Sequence, residues 1–405
     1  MAGVEQDAGG LPERVAIGVL TTVFPPALVD EVIEQAQARE LRKRSLPARL
    51  TLYFTLALWL FRGRGYDLVL RNLVDGLAFT RRGWGDWRVP STGSITKARA
   101  RLGPAPLEAL FRRVAGPVGA RGAPGVFWRG LRLVCLDGTG VEVPDSDANR
   151  AVFGRPSGKD GWIGPYPQVT VVALAECGTH ALLDAAFGGY RTGEQDLAAG
   201  LASALRQDML VLADRNFPGG PLWTAMTGRG AQLLWRIKTG QFALPVEQVL
   251  PDGTYLSSFT SGKGRNRIRV RMRVLHYTVT STDQTTGEQN TEEFCLATTL
   301  TDPATAPALE LAGLYHQRWQ AETLFAELKT TQRGGALEVL RSHSPDGVAQ
   351  EIWAMLCVHH ALRGLMATTA HATDTPALHI SFTRALDAAR RTVTPAAAFP
   401  PPPGS

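Results

Sequence analysis

The strongest constraint on the fold is a change of hydrophobic period at GARGAPG, residues 119–125. Ahead of it, from Pro25 to about Gly116, apolar residues recur at helical spacing through PPALVDEVIEQAQARELR, Pro47–Phe61, Tyr66–Leu77, Ser91–Leu102 and Pro106–Val114. Beyond it come strand-like runs at Leu131–Leu136, Gln168–Ala175 and Ala181–Phe187, the last two separated by the turn Glu176–His180. Glu194–Gln207, Met209–Ala213, Pro221–Thr227 and Ala231–Ile237 then alternate helix and strand, so the order reads β-β-β-α-β-α-β. Strands joined directly pair antiparallel and strands joined through a helix pair parallel, which predicts a mixed sheet covered by helices.

At 405 residues the chain is long enough for two or three domains. The divisions expected are an all-α N-terminal domain over 1–125, the first part of an α/β core over 126–237, an inserted β module over 238–300, core helices over 301–370 and a tail over 371–405. The module is rich in Gly, Ser and Thr, with turns at Pro251-Asp252-Gly253 and Thr286-Gly287-Glu288. A long helix is expected over Ala306–Thr330 and another over Ala349–Met366, and the terminal PAAAFPPPPGS reads as disordered or polyproline-like. With 44% hydrophobic and 20% charged residues, wholesale disorder and a collagen-like repeat are excluded.

The start MAGVEQDAGG has no secretory pattern, and the most apolar run, Leu50–Phe61, falls short of the ~20 residues that span a bilayer. That run reads as a buried helix, and the protein as cytoplasmic and nucleoid-associated, without a membrane partner. Cys135, Cys177, Cys295 and Cys357 are far apart and form no C-x-x-C pair, which suits core thiols in a reducing compartment.

Charge is unevenly placed. Residues 1–130 carry 19 Lys and Arg against 11 Asp and Glu, and the rest carry 24 against 26. A basic first third suggests a polyanionic partner, although surplus surface arginine also aids solubility. Lys97, Arg99 and Arg101 in SITKARARLGP are the candidate DNA contacts there, with a helix-turn-helix element as one setting for them; a solvated basic face is the alternative. In the β module, Lys263, Arg265, Arg267, Arg269, Arg271 and Arg273 occupy every second position. On a strand they share one face, with Ile268, Val270 and Met272 opposite, and guanidinium groups ~6.6 Å apart invite a phosphate backbone. The competing reading is an edge strand charged against aggregation.

Asp137 follows the first strand (LVCL-D) and Asp214 the fourth (LVLA-D), so both carboxylates are delivered to the rim of the sheet, where clefts open. Either aspartate alone would read as a turn cap; two on neighbouring strands in a basic chain point to a metal site. On the later helix, Tyr315, Arg318, Glu322 and Lys329 fall on one stripe within roughly 60°. Leu314, Ala321, Phe325 and Leu328 form an apolar edge beside it. Glu194 and Asp184, also near the core, read as helix-capping or surface groups, with support of the metal ligands from behind as the alternative. His359, His360 and Cys357 read as packing or surface groups. Gly154–Asp160 fails as a phosphate loop because it lacks Ser or Thr after Lys159.

LDGT at Asp137, LADRNF at Asp214 and Y-x2-R-x3-E-x6-K from Tyr315, in this order and with a β module between the second Asp and the Glu, resemble the signature blocks of DDE transposases of the insertion-sequence-four type. The resemblance implies an RNase H-like catalytic core with Asp137, Asp214 and Glu322 as the acidic triad, holding two Mg²⁺ ions for which Mn²⁺ substitutes. It implies that Tyr315, Arg318 and Lys329 contact double-stranded DNA at the element ends. It also implies a homodimer in the synaptic complex and cut-and-paste transposition through a hairpin. Oxygen ligands suit Mg²⁺ independently of the resemblance. Relatives stack an aromatic wedge from the β module, often Trp, on a flipped base; this module has no Trp but offers Phe242, Tyr255, Phe259, Tyr277 and Phe294. A DNA-binding protein without catalysis and a nuclease without strand transfer remain the alternatives.

Overall fold

The computed structural model describes residues 18–40, 45–75, 89–158, 160–238, 240, 242–261, 267–282, 289–328 and 339–390. They form two compact units. One comprises residues 1–116, 142–167 and 326–405; the other comprises 117–141 and 168–325. The terminal PAAAFPPPPGS lies outside the described residues.

The first unit is helical. Its core is helix Ala48–Leu60, in which every residue from Leu50 to Leu60 is buried, as the uninterrupted apolar run requires. Helices Pro26–Gln35, Tyr66–Asp75, Thr92–Leu102 and Ala105–Val114 surround it, each with an apolar stripe. Boundary chemistry is visible at Thr92–Leu102, where the Ser91 hydroxyl accepts from the Ser94 N–H and Gly103 ends the helix at φ +66°. The unit also draws on chain from beyond the change of period. Helix Pro345–Ala372, longer than expected at both ends, is buried nearly all round from Val348 to Arg363, so it must be enclosed by other helices. It packs on Ala48–Leu60 and Ala105–Val114, with Trp353 against Phe111 at 5.4 Å between ring centroids. The compact units are thus not the consecutive divisions expected from the sequence. No helix among the described residues is long and apolar enough to cross a membrane.

The second unit is a mixed sheet. Its strands are β1 Phe127–Trp128, β2 Leu131–Glu142, β3 Gln168–Glu176, β4 Leu182–Gly189, β5 Met209–Ala213, β6 Gln232–Ile237, β7 Gln248–Val249, β8 Tyr255–Ser261, β9 Ile268–Thr282 and β10 Gln289–Thr298. The order is β4-β3-β2-β5-β6-β10-β9-β8-β7, with β1 paired to β2. β2, β5 and β6 run parallel through helical crossovers, and β3 with β4 forms an antiparallel pair. This is the helical region plus mixed-sheet core that the sequence predicts. Val134, Leu136, Val211, Leu233 and Trp235 share a buried cluster with Leu201, Trp223 and Met226 of the covering helices.

The inserted strands continue the same sheet. β10 pairs antiparallel with β6, and β9, β8 and β7 follow it outward, so the insertion satisfies the backbone groups that β6 would otherwise leave open. β9 lies inside the sheet, which removes the edge-strand explanation for its arginines. The expected helix over Ala306–Thr330 is also interrupted: helix Ala308–Tyr315 passes into a 3₁₀ turn at His316–Arg318 and then helix Trp319–Ala326.

Candidate active site

Asp137 and Asp214 are brought together by strand register. In the parallel pair β2/β5 the last matched residues are Leu136 and Ala213, so each aspartate is the next residue on its strand. β5 stops there, whereas β2 runs on to Glu142, so Asp137 lies within a strand at the point where its partner ends. Asp137 Oδ1 accepts from the Gly138 N–H at 2.8 Å, and Asp214 Oδ1 accepts from the Asn216 N–H at 2.8 Å. The turn-capping role anticipated for a lone aspartate is therefore filled by one oxygen of Asp214.

The signature helix reaches the same rim. Tyr315 is buried, and its hydroxyl donates to the carbonyl of Ala213, the residue before Asp214, at 3.3 Å. Burial pushes its phenol well above the ordinary range. In a 3₁₀ turn residues three apart eclipse, so the turn at His316–Arg318 aligns Arg318 with Tyr315 more closely than an α-helix would. The Arg318 guanidinium lies 6.0 Å from the Tyr315 ring centroid and pairs with Asp137 at 3.9 Å. Tyr315 therefore holds the end of β5 and is enclosed by protein, which corrects its expected contact with DNA. Glu322 falls on helix Trp319–Ala326; its side chain, like Lys329, Lys263 and Arg265, lies outside the described residues.

Electrostatics single out Asp137. The Asp137 carboxyl is raised to about 6 by burial, opposed by the Gly138 N–H and Arg318 and reinforced by the charges of Asp214 and Glu194. Glu194 is raised as well, by burial and then by Asp214. It stands in the first turn of helix Glu194–Gly200, where a carboxylate faces the positive end of the helix, and the cap residue itself is Gly193. The adjacent Gln195 fixes this helix to the loop after Asp214 by donating to the Asn216 carbonyl at 2.9 Å. The signal for Glu194 lay in the topology: the helix leaving β4 must cross to β5, and its first turn meets the rim that bears Asp214.

A divalent cation fits this donor set. The groups are carboxylates, hard oxygen ligands suited to Mg²⁺ and Mn²⁺, and burial penalises the ionised form of Asp137 until a cation offsets it. Among the described residues no three His, Cys, Asp or Glu side chains stand close enough to enclose an ion as they are. All four cysteines are buried with free thiols, and His359, His360 and Cys357 are buried on helix Pro345–Ala372.

The arginine stripe divides into two kinds of residue. Arg267, Arg269 and Arg271 are exposed, with Val270 and Met272 buried on the opposite face, as period-2 spacing requires. Arg269 also pairs with Glu247 at 2.8 Å. Arg273 is wholly buried beneath the turn at 250–254 and the chain at 300–306. It pairs with Asp252 and donates to Thr254 Oγ1 at 2.8 Å and to the Ala306 carbonyl at 2.6 Å. Its assignment as a DNA contact is corrected: packed loops cover that end of the face. Arg99 is corrected for a related reason. It lies on the face of its helix that carries Ile95, Ala98 and Leu102, where it donates to the Tyr66 hydroxyl at 2.7 Å and pairs with Glu351 at 3.7 Å. Lys97 and Arg101 are exposed.

The aromatic residues of the inserted strands stack within the protein. Phe242 lies on Phe259 at 4.2 Å, Tyr255 on His276 at 5.9 Å and Tyr277 on Phe294 at 5.2 Å.

Comparisons with known proteins match residues 14–112 to the insertion element 4 transposase N-terminal family and residues 128–360 to the transposase DDE domain. The chain is 29% identical over 340 residues to the transposase InsG for insertion sequence element IS4 of Escherichia coli strain K12, covering 84% of this chain and 74% of that protein. It is 27% identical over 212 residues to the putative transposase InsZ of the same strain, covering 52% of this chain and 68% of that protein. A cryo-EM structure of the piggyBac transposase synaptic complex with hairpin DNA aligns over 92% of this chain and 78% of that chain, at 9% identity and a TM-score of 0.44. With both signature aspartates at one sheet rim and a DDE-domain match over more than half its length, the chain belongs to the DDE transposases of the insertion element 4 type.

Proposed function

We propose that the protein binds the ends of its own mobile element and cuts and joins DNA by metal-dependent phosphodiester chemistry. The observation that carries this reading is the meeting of Asp137 and Asp214 at the ends of neighbouring parallel strands, with Tyr315 and Arg318 of the third signature block against the same rim. Asp137, Asp214 and Glu322 would hold Mg²⁺, or Mn²⁺ in its place, in a two-ion arrangement. Bound there, divalent cations supply Lewis-acid activation of a water or 3′-hydroxyl and stabilisation of the leaving oxygen. The chain's own residues orient that chemistry. β2 and β5 fix both aspartates, Tyr315 holds the last carbonyl of β5, and Arg318 offers a cation beside Asp137 that can pass to a DNA phosphate. Arg267, Arg269, Arg271, Lys97 and Arg101 supply exposed positive charge for the duplex backbone.

Work in a synaptic homodimer, a hairpin intermediate and a cytoplasmic site of action belong to the same proposal. The product distribution tests it. The purified protein, incubated in Mg²⁺ with a duplex carrying the DNA that flanks its gene and with a target plasmid, should yield terminal nicks, hairpin ends and joined products. Cleaved ends without joined products would make it a nuclease, and specific binding without scission would make it a DNA-binding protein only.

A further inference from the structure

The turn that follows Asp214 is held from both ends and carries one charged side chain clear of the protein. Asp214 Oδ1 accepts from the Asn216 N–H at 2.8 Å, and the Phe217 N–H donates to the Asp214 carbonyl at 3.3 Å, closing a four-residue turn over Asp214-Arg215-Asn216-Phe217. Ala213 before the turn and Phe217 at its end are wholly buried, so the two central residues must project outward, and both are exposed. The Asn216 carbonyl is fixed in turn by the Gln195 amide at 2.9 Å, in space that Gly219 leaves, where a Cβ would come within 2.6 Å of Gln195 Oε1. Arg215 thus follows Asp214 directly, about 3.8 Å away at Cα, on anchored backbone. Its guanidinium has no hydrogen bond or ion pair among the described residues. Arg318 differs, because its side chain is 11% exposed and already pairs with Asp137.

We propose that Arg215 holds a phosphate of the cleaved strand beside the scissile bond and so seats the DNA backbone against Asp214. This inference rests on the cleavage reading above and adds to it a residue that binds substrate. A phosphodiester approaching two carboxylates is repelled by them, and a cation at the same rim that is not spent on either acid offsets that repulsion. A guanidinium suits the task, because it stays charged and its planar fork donates two parallel N–H bonds to phosphate oxygens. The anchored turn lowers the ordering cost, since only the side chain has to be immobilised on binding.

The test is single-turnover cleavage in Mg²⁺ by the full-length protein, at saturating protein, of a duplex carrying the DNA that flanks its gene. Arg215→Gln should slow cleavage at least about tenfold, the worth of a charge-assisted hydrogen bond, with an unchanged melting temperature because the side chain is exposed. Arg215→Lys should recover part of the rate. Neutral methylphosphonates placed one at a time at the phosphates flanking the cut identify the contact. At one position the substitution should slow wild type about as much as Arg215→Gln does, and should slow Arg215→Gln no further. Wild-type rate in Arg215→Gln would overturn the inference and leave the cleavage reading standing. So would losses that multiply at every methylphosphonate position, which make Arg215 and the phosphates independent, or a rate loss matched by a lowered melting temperature, which makes Arg215 a folding residue. A wild-type protein that binds the duplex without cutting it would remove the cleavage reading and this inference with it.

Discussion

Arg271 and Arg273 lie two residues apart on β9, yet their substitution should have opposite consequences. Arg273 is fully enclosed, paired with Asp252, and bonded to Thr254 Oγ1 and to the Leu300 and Ala306 carbonyls. Arg273→Met keeps much of the volume but strands the Asp252 carboxylate and leaves two carbonyls without this donor. Removing one partner of a buried pair costs about 3–5 kcal/mol, here discounted toward the lower end because the Asp252 side chain is 25% exposed. Arg271→Ala removes an exposed group and should change stability by less than ~0.5 kcal/mol. Urea unfolding followed by tryptophan fluorescence measures the first effect, and end-DNA binding across a salt series measures the second. Arg271→Ala should reduce the salt slope by about one counterion while Arg273→Met, studied under conditions where it stays folded, should not. An Arg273→Met protein as stable as wild type but with a reduced salt slope would refute the burial argument and restore a continuous cationic stripe.

Three further outcomes follow from the same geometry. Because the folded Asp137 carboxyl titrates near 6 rather than at its usual 3.8, its contribution to stability is complete below the lower value and lost as pH rises through the higher one. In EDTA, Asp137→Asn should therefore match wild type near about pH 4 and exceed it above about pH 7, by up to about 3 kcal/mol at ~1.4 kcal/mol per tenfold; urea midpoints at the two pH values check this, and wild-type Mn²⁺ affinity should fall as pH drops below about 6. Tyr315→Phe, which leaves the Ala213 carbonyl without that donor, should cost about 1 kcal/mol of stability and slow cleavage while leaving end-DNA affinity unchanged, as gel shift and single-turnover cleavage would show. Arg99→Met should destabilise the helical unit by about 3 kcal/mol or more in urea unfolding, whereas Lys97→Ala with Arg101→Ala should leave stability within ~0.5 kcal/mol and weaken DNA binding.

Much of this was legible from hydrophobic period. The alternation from Leu131 to Ile237 fixes which strands pair parallel, and parallel register carries Asp137 and Asp214 to one rim without any knowledge of side-chain packing. The buried helix at Leu50–Leu60 follows from the same rule. What period does not reveal is cover. Arg273 obeys the spacing of Arg269 and Arg271 but lies beneath a turn whose position depends on chain about 20 to 30 residues away in sequence. Arg99 was within reach, since Ile95, Ala98, Arg99 and Leu102 share a helical face, yet a run of basic residues reads as a surface until that face is drawn. The 3₁₀ turn at His316–Arg318 carries no composition signal. The helical unit recruits 142–167 and 326–405 because helix Pro345–Ala372 is apolar on nearly every side, a demand for neighbours that consecutive division of the chain ignores.

The central claim is that Asp137 and Asp214 hold the cation that cuts the element's ends. Its most direct test is cleavage of an end-labelled duplex from the DNA flanking the gene, in Mg²⁺, by wild type and Asp214→Asn at equal bound fraction. Wild type should cut at a defined terminus and lose those cuts in EDTA, and Asp214→Asn should not cut despite unchanged binding. Cleavage by Asp214→Asn at the wild-type rate would contradict it.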